Sequence, residues 1–307
     1  MPTGFVQHSA CRQHDMGPGH PEAPRRLSLI EDALAAKGVM DLLRHYEAPL
    51  ATREQLERVH RPAYLDSLAA RAPADGLVHL DPDTAMNAHT LEAAHRAAGA
   101  AVLATDRVLD GSVQNAFCCV RPPGHHAMPG EAMGFCFFNN VAVGAAHALA
   151  VHGLERVAVL DFDVHHGNGT EAIFERDLRV MVCSTYQHPL YPFSGAPSIP
   201  GRIINVELPA ETRGQDYRLA IDSFWRPALE QFRPQMIFVS AGFDAHLEDP
   251  YADLLLNDRD FEWLTDLVME AADRHAGGRL VSCLEGGYTA GAMPRCAARH
   301  VQLLAGL

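Results

Sequence analysis

The stretch Arg156–Thr170, RVAVLDFDVHHGNGT, ends in a run of side chains that bind metals. Asp161 and Asp163 alternate with apolar Phe162 and Val164, and His165 and His166 precede Gly167-Asn168-Gly169. Carboxylate oxygen and imidazole nitrogen both suit Zn²⁺ and similar divalent ions. On a strand, residues i and i+2 share a face, so Asp163 and His165 can point at one atom. His166 then points the opposite way and takes a structural role. Asp244 is the natural third ligand, and three protein ligands with a position left for water describe a catalytic metal site. A water activated there needs a proton acceptor, which the adjacent pair His125-His126 can supply. One histidine can move the proton while the other holds charge. Tyr288, after Gly286-Gly287, carries a phenol that can be aimed at a developing oxyanion. A two-metal site would need further bridging carboxylates, but Gly167 and His246 stand where aspartates would be required. The residues therefore predict a single catalytic metal.

These groups need a scaffold that brings distant segments together. Strand-like runs are expected at Gly4–His8, Asn115–Val120, Arg156–Val164, Arg179–Thr185, Ile203–Leu208, Gln235–Ala241 and Arg279–Leu284. Helical periodicity is expected at Arg25–Lys37, Arg53–Arg58, Tyr64–Ala70, Thr90–Leu109, Asn139–His152, Glu171–Arg176, Tyr217–Phe232, Asp260–His275 and Met293–Leu304. Residues 71–89 read as a loop. Strands alternating with helices imply an α/β fold, with a mostly parallel sheet covered on both faces. Binding crevices in such sheets lie outside the carboxyl ends of the strands. Polar clusters follow four strand runs: Arg121–Ala127, the opening stretch, Gly242–His246 and Glu285–Tyr288. No linker or repeat interrupts the pattern, which predicts one domain over residues 1–307.

The chain has 307 residues, 48% hydrophobic, with a net charge of −13. That charge argues against direct nucleic-acid binding. No run of about 18 apolar residues suggests a membrane span, and the first residues lack a signal-peptide pattern, so a cytoplasmic protein is expected. Seven cysteines without a C-x-x-C pair read as buried free thiols. His8, His20, His60, His152 and His275 read as surface or internally satisfied histidines.

Taken together, the motifs resemble the zinc-dependent histone deacetylase superfamily, including its class II-like bacterial deacetylases and acetylpolyamine amidohydrolases. The matching stretches are Gly17–Glu22, Arg121–His126, Gly134–Asn140, Asp161–Thr170, Ser240–Asp244 and Glu285–Tyr288, in order along nearly the whole chain. The resemblance implies the three-layer α/β/α arginase-deacetylase fold and one catalytic Zn²⁺ on Asp163, His165 and Asp244. It also implies His126 as general base and acid, with His125 as its electrostatic partner and Tyr288 as oxyanion donor. Gly134 would offer its carbonyl to the substrate N–H, while Phe135 and Tyr191 would wall a narrow channel. Asp161, Ser184 and Thr185 match positions that hold a structural K⁺. Asn168 stands where the class II-like branch has Asn.

The implied activity is hydrolysis of acetyl or other short acyl groups from the ε-amine of lysine in a peptide or protein. An acetylated polyamine is the competing substrate. Polyamine-preferring relatives carry acidic gatekeepers at the channel mouth, whereas Tyr251, seven residues after Asp244, is not an acid. Asp15, Asp81, Asp83, Glu131 and Glu248 are expected in rim loops. A non-catalytic binding protein on the same fold would be expected to lack a key group, and all are present. A homo-oligomer is compatible with the sequence.

Overall fold

The computed structural model describes residues 2–195 and 197–307. In chain order the elements are β1 (Thr3–Gln7), α1 (Arg25–Ala36), β2 (Arg44–Glu47), α2 (Arg53–Glu57), α3 (Pro62–Arg71), β3 (Val78–His79), β4 (Ala85–Met86), α4 (Thr90–Leu109) and β5 (Asn115–Cys118). They continue with α5 (Asn140–Ala150), β6 (Val157–Asp161), α6 (Asn168–Phe174), β7 (Val180–Gln187), β8 (Ile203–Leu208), α7 (Gly214–Phe232), β9 (Met236–Ala241), α8 (Asp258–Ala276), β10 (Leu280–Leu284) and α9 (Ala292–Leu304).

The main sheet has eight strands in the order β2-β1-β5-β10-β9-β6-β7-β8, and every pairing in it is parallel. Strands β6, β7, β9 and β10 are buried along their whole lengths, as a sheet covered on both faces requires. Helices α4 and α5 pack together, as do α1, α8 and α9, giving a three-layer α/β/α sandwich. The alanine-rich face of α4 permits this closeness. A Cβ added at Gly144 on α5 would lie 3.2 Å from Ala101 on α4 and 3.0 Å from Phe238 on β9.

One consequence of the strand order governs the site. β5, β10, β9 and β6 are successive neighbours, so the four polar clusters open side by side although they span residues 121–288. Three expectations are corrected. β2 is missing from the sequence reading because its RHYE pattern is largely exposed, as an edge strand can be. Residues 71–89 contain the short antiparallel pair β3–β4. The metal-ligand strand stops at Asp161, and α6 begins at Asn168 rather than Glu171. All seven cysteines are free and buried, as expected. Among the described residues no helix is long and apolar enough to cross a membrane.

Candidate active site

Because β6 ends early, strand alternation does not aim Asp163 and His165. Side chains that bond back to the backbone do so instead. Asp161 Oδ1 accepts from the Asp163 N–H at 3.1 Å, and Asp163 Oδ1 accepts from the His165 N–H at 2.9 Å. Asp244 enters from the end of β9, its Oδ1 accepting from the Val164 N–H at 2.9 Å. The Gly286 N–H, beyond β10, donates to Asp163 Oδ2 at 2.8 Å. A Cβ at Gly242 would run into the Asp163 carboxylate, and one at Gly286 into those of Asp163 and Asp244.

The result is a compact Asp163–His165–Asp244 group whose ligand atoms all lie within 4.8 Å of one another. His165 Nδ1 is 3.0 Å from Asp163 Oδ1 and 3.2 Å from Asp244 Oδ2. Both carboxylates are fully buried, and Asp244 Oδ2 has no well-directed hydrogen bond. Two buried carboxylates, an imidazole and an orphaned oxygen fit a divalent cation of the zinc type. A proton on His165 balances part of that charge otherwise. Burial opposes the proton, but the two carboxylates raise the imidazole to about 10, and binding a metal would displace it.

The tandem histidines follow β5, and their environments drive them apart. His125 Nδ1 donates to Asp161 Oδ2 at 2.9 Å. Burial disfavours its charge, yet Asp161 and Asp163 hold its pKa well above the ordinary value. His126 is held well below it by burial and then by the charges of His125 and His165. Its Nδ1 lies 2.7 Å from Asn168 Oδ1. A carbonyl oxygen only accepts, so Nδ1 carries the hydrogen and Nε2 keeps a free lone pair. The amide nitrogen of Asn168 faces the sulfurs of Met128 and Met133, each at 3.3 Å, which fixes which end of the amide His126 meets. The two imidazoles, pushed in opposite directions, lie with ring centroids 4.0 Å apart and planes tilted by 41°.

A cavity of about 230 Å³ opens above these groups, lined by His126, Gly134, Phe135, His165, Leu190, Tyr191, Tyr251 and Tyr288, with Asp83 at its edge. Gly134 has φ +55°, and a Cβ there would strike the His126 ring. Its carbonyl accepts from the Cys136 thiol at 3.3 Å. Tyr191 is 5.3 Å from the His126 ring. Tyr288 meets Phe135 edge-on at 5.9 Å and Tyr251 at 5.0 Å. Burial and the Asp244 and Asp163 carboxylates hold its phenol well above the ordinary value, so it is an O–H donor. Asp81, Asp83 and Glu131 line an adjoining groove that shares Asp83 and Tyr191 with this cavity. Asp15 and Glu248 are elsewhere: Asp15 accepts from the Gly17 N–H, and Glu248 pairs with Arg295.

Behind the site, Asp161 on β6 is in register with Ser184 on β7, and Thr185 follows. Ser184 Oγ is buried without a partner, whereas Thr185 Oγ1 bonds the Tyr217 hydroxyl at 2.7 Å. His166 faces away from the cavity toward Ser194 and Glu171, both at 2.9 Å, in line with its expected structural role. His60 is satisfied by Met128 O and the Asn139 N–H.

Three contributors escaped the sequence reading. Arg26 is buried with its guanidinium 5.1 Å from the Tyr288 ring centroid, and it donates to the carbonyls of Gly287 and Glu285. Glu22 pairs with both Arg26 and Arg121. Asp249 holds the main chain at Tyr288 and Tyr251. Local signals were present: Glu22 ends the matching stretch Gly17–Glu22 and lies four residues before Arg26, and Asp249 stands next to Pro250, five residues past Asp244. His20, read as an ordinary histidine, packs edge-on against Phe135 at 4.7 Å.

The family profile described as "Histone deacetylase domain" matches residues 20–304. The chain is 43% identical to the "Histone deacetylase-like amidohydrolase" of Pseudomonas aeruginosa, over 99% of this chain and 86% of that one. It is 37% identical to "Polyamine deacetylase HDAC10" of Homo sapiens, over 93% of this chain and 44% of that one. A crystal structure of the HDA15 HD domain superposes with a TM-score of 0.92 at 31% identity, covering 99% of this chain and 90% of that one. With its parallel sheet and the convergence of four strand ends, the chain belongs to the histone deacetylase family of amide-hydrolysing enzymes.

Proposed function

We propose that this single catalytic domain removes acetyl or other short acyl groups from lysine ε-amines, with Zn²⁺ held by Asp163, His165 and Asp244. The observation that carries the reading is the geometry of two adjacent histidines, one bonded to the Asp161 carboxylate and the other to the Asn168 carbonyl, beside the compact buried group Asp163–His165–Asp244. A zinc ion there would supply Lewis acidity toward water and the amide carbonyl. Neutral His126 takes the proton from the attacking water at Nε2 as the C–O bond forms. Charged His125, fixed by Asp161, offsets negative charge growing at the carbonyl carbon's substituents. The Tyr288 hydroxyl donates to the oxyanion. His126 then returns its proton to the amine nitrogen as the C–N bond breaks, giving a primary amine and a carboxylate. Phe135 and Tyr191 wall a slot suited to a methylene chain, Gly134 offers its carbonyl to the substrate N–H, and Tyr251 lines the mouth. A structural K⁺ beside Asp161, Ser184 and Thr185 fits the orphaned Ser184 hydroxyl.

A second reading, an acetylpolyamine amidohydrolase, is favoured by the acids of the adjoining groove and by the name of the human relative. Tyr251 at the mouth, in place of an acid, sets it second. Parallel assays of an acetyl-lysine peptide and N-acetylputrescine separate the two. The peptide should be cleaved with the higher kcat/KM; a large preference for N-acetylputrescine would reverse the order.

A further inference from the structure

Among the described residues the Tyr288 hydroxyl makes no hydrogen bond to the protein, so its aim is set by its backbone and its ring contacts. One side chain dominates the backbone part. Asp249 is 4% exposed. Its Oδ2 accepts from the Tyr288 N–H at 2.7 Å and the Thr289 N–H at 3.3 Å. Its Oδ1 accepts from the Tyr251 N–H at 3.2 Å. Its own N–H donates to the His246 carbonyl at 2.8 Å, tying it to the turn that carries Asp244. A single carboxylate therefore registers three things against one another: the segment after the metal-ligand position, the tyrosine at the channel mouth, and the tyrosine proposed to meet the oxyanion.

We infer that Asp249 is a positioning residue that sets the Tyr288 hydroxyl over the reacting carbonyl and couples it to Tyr251 at the mouth. The inference rests on the proposed role of Tyr288. Three N–H groups converge on two acceptor oxygens, a set of bonds that a carboxyl group satisfies in full and a side-chain amide, with one acceptor oxygen, does not. Asp249→Asn preserves shape but replaces one acceptor oxygen with an NH₂ that faces a backbone N–H. The ring pair Tyr251–Tyr288, at 5.0 Å and 71°, then loses its common anchor. A small displacement of a catalytic hydroxyl is costly.

The test is a double-mutant cycle with the zinc-loaded full chain and an acetyl-lysine peptide: wild type, Asp249→Asn, Tyr288→Phe and both. Asp249→Asn should lower kcat by about tenfold or more, with KM within about twofold and one zinc retained per chain. In the Tyr288→Phe background it should cost less than about twofold, because the group it positions is gone. An equal loss in both backgrounds, or an unchanged kcat, would overturn the inference. The Tyr288→Phe arm reads the parent proposal separately: full turnover there would remove the oxyanion role itself. If Asp249→Asn melts below the assay temperature, Asp249→Ser replaces it in the same cycle under the same criteria.

Discussion

Among the described residues three groups of metal-binding side chains have ligand atoms within 4.8 Å of one another, one of them His246–Asp258–Cys296, and the two built from aspartate and histidine alone are not alike. Asp163–His165–Asp244 lies at the foot of the cavity; Asp106–His147–His152 lies where α4 and α5 pack. In the outer cluster Arg58 approaches His147 Nδ1 at 3.0 Å. A guanidinium only donates, so Nδ1 gives its lone pair, and Nε2–H points at Asp106 Oδ1, 2.8 Å away. His152 Nε2 meets the same oxygen at 2.7 Å. Asp106 is partly exposed, its charge is shared and hydrated, and His147 has no lone pair left for a metal. In the inner cluster both carboxylates are fully buried, and among the described residues no Arg or Lys pairs with either. Residue type and proximity do not make a metal site. Two buried carboxylates with no Arg or Lys partner, one of them with an oxygen lacking a well-directed hydrogen bond, mark the inner group as the candidate.

That contrast can be broken most sharply at Asp244. Asp244→Ala should abolish metal binding and lower turnover by more than about a thousandfold; metal analysis with initial rates reads both. His126→Ala should keep the metal yet lose about a hundredfold or more in kcat. In wild type the acid side of the kcat/KM profile should fall as His126 takes up a proton, since only its neutral form accepts from water. A third environment sharpens the comparison. His300 is buried between the hydroxyls of Thr265 and Ser282 with no carboxylate, and burial pushes it down to about 3. The unfolded chain therefore binds the extra proton first. Its contribution to stability is whole above about pH 6.5 and is lost as pH falls, by about 2 kcal/mol at pH 5. Denaturant unfolding at pH 7 and pH 5 checks this, with His300→Asn flattening the slope. The smallest effect belongs to the outer cluster. His152→Ala should leave metal content and turnover unchanged and move stability by less than about 0.5 kcal/mol.

The sequence showed the chemistry better than its geometry. Four polar clusters after four strand runs were legible because buried parallel strands are near-continuous apolar segments that stop abruptly. Asp163 and His165 do meet, but not by strand alternation: convergence comes from the turn after Asp161, where carboxylates cap the next backbone N–H groups. β2 was invisible because an edge strand of RHYE has no buried face to mark it. The Arg121–Glu22 pair could not be found in the sequence, since its partners are 99 residues apart and meet only where their loops converge beyond the sheet, whereas Glu22 and Arg26 are four residues apart. The opposite states of His125 and His126 also required coordinates. The Asp161 and Asp163 carboxylates hold His125 up against its burial, whereas burial and the charges of His125 and His165 hold His126 down.

The central claim is that hydrolysis depends on a metal held by the inner cluster and by no other group of residues. Protein stripped with a chelator and titrated with Zn²⁺ against an acetyl-lysine peptide tests it directly. The stripped protein should show no turnover, with recovery that saturates at one zinc per chain. The same recovery should follow in Asp106→Ala and none in Asp244→Ala. Turnover that persists in metal-free protein, or that is restored by zinc in Asp244→Ala, would contradict it.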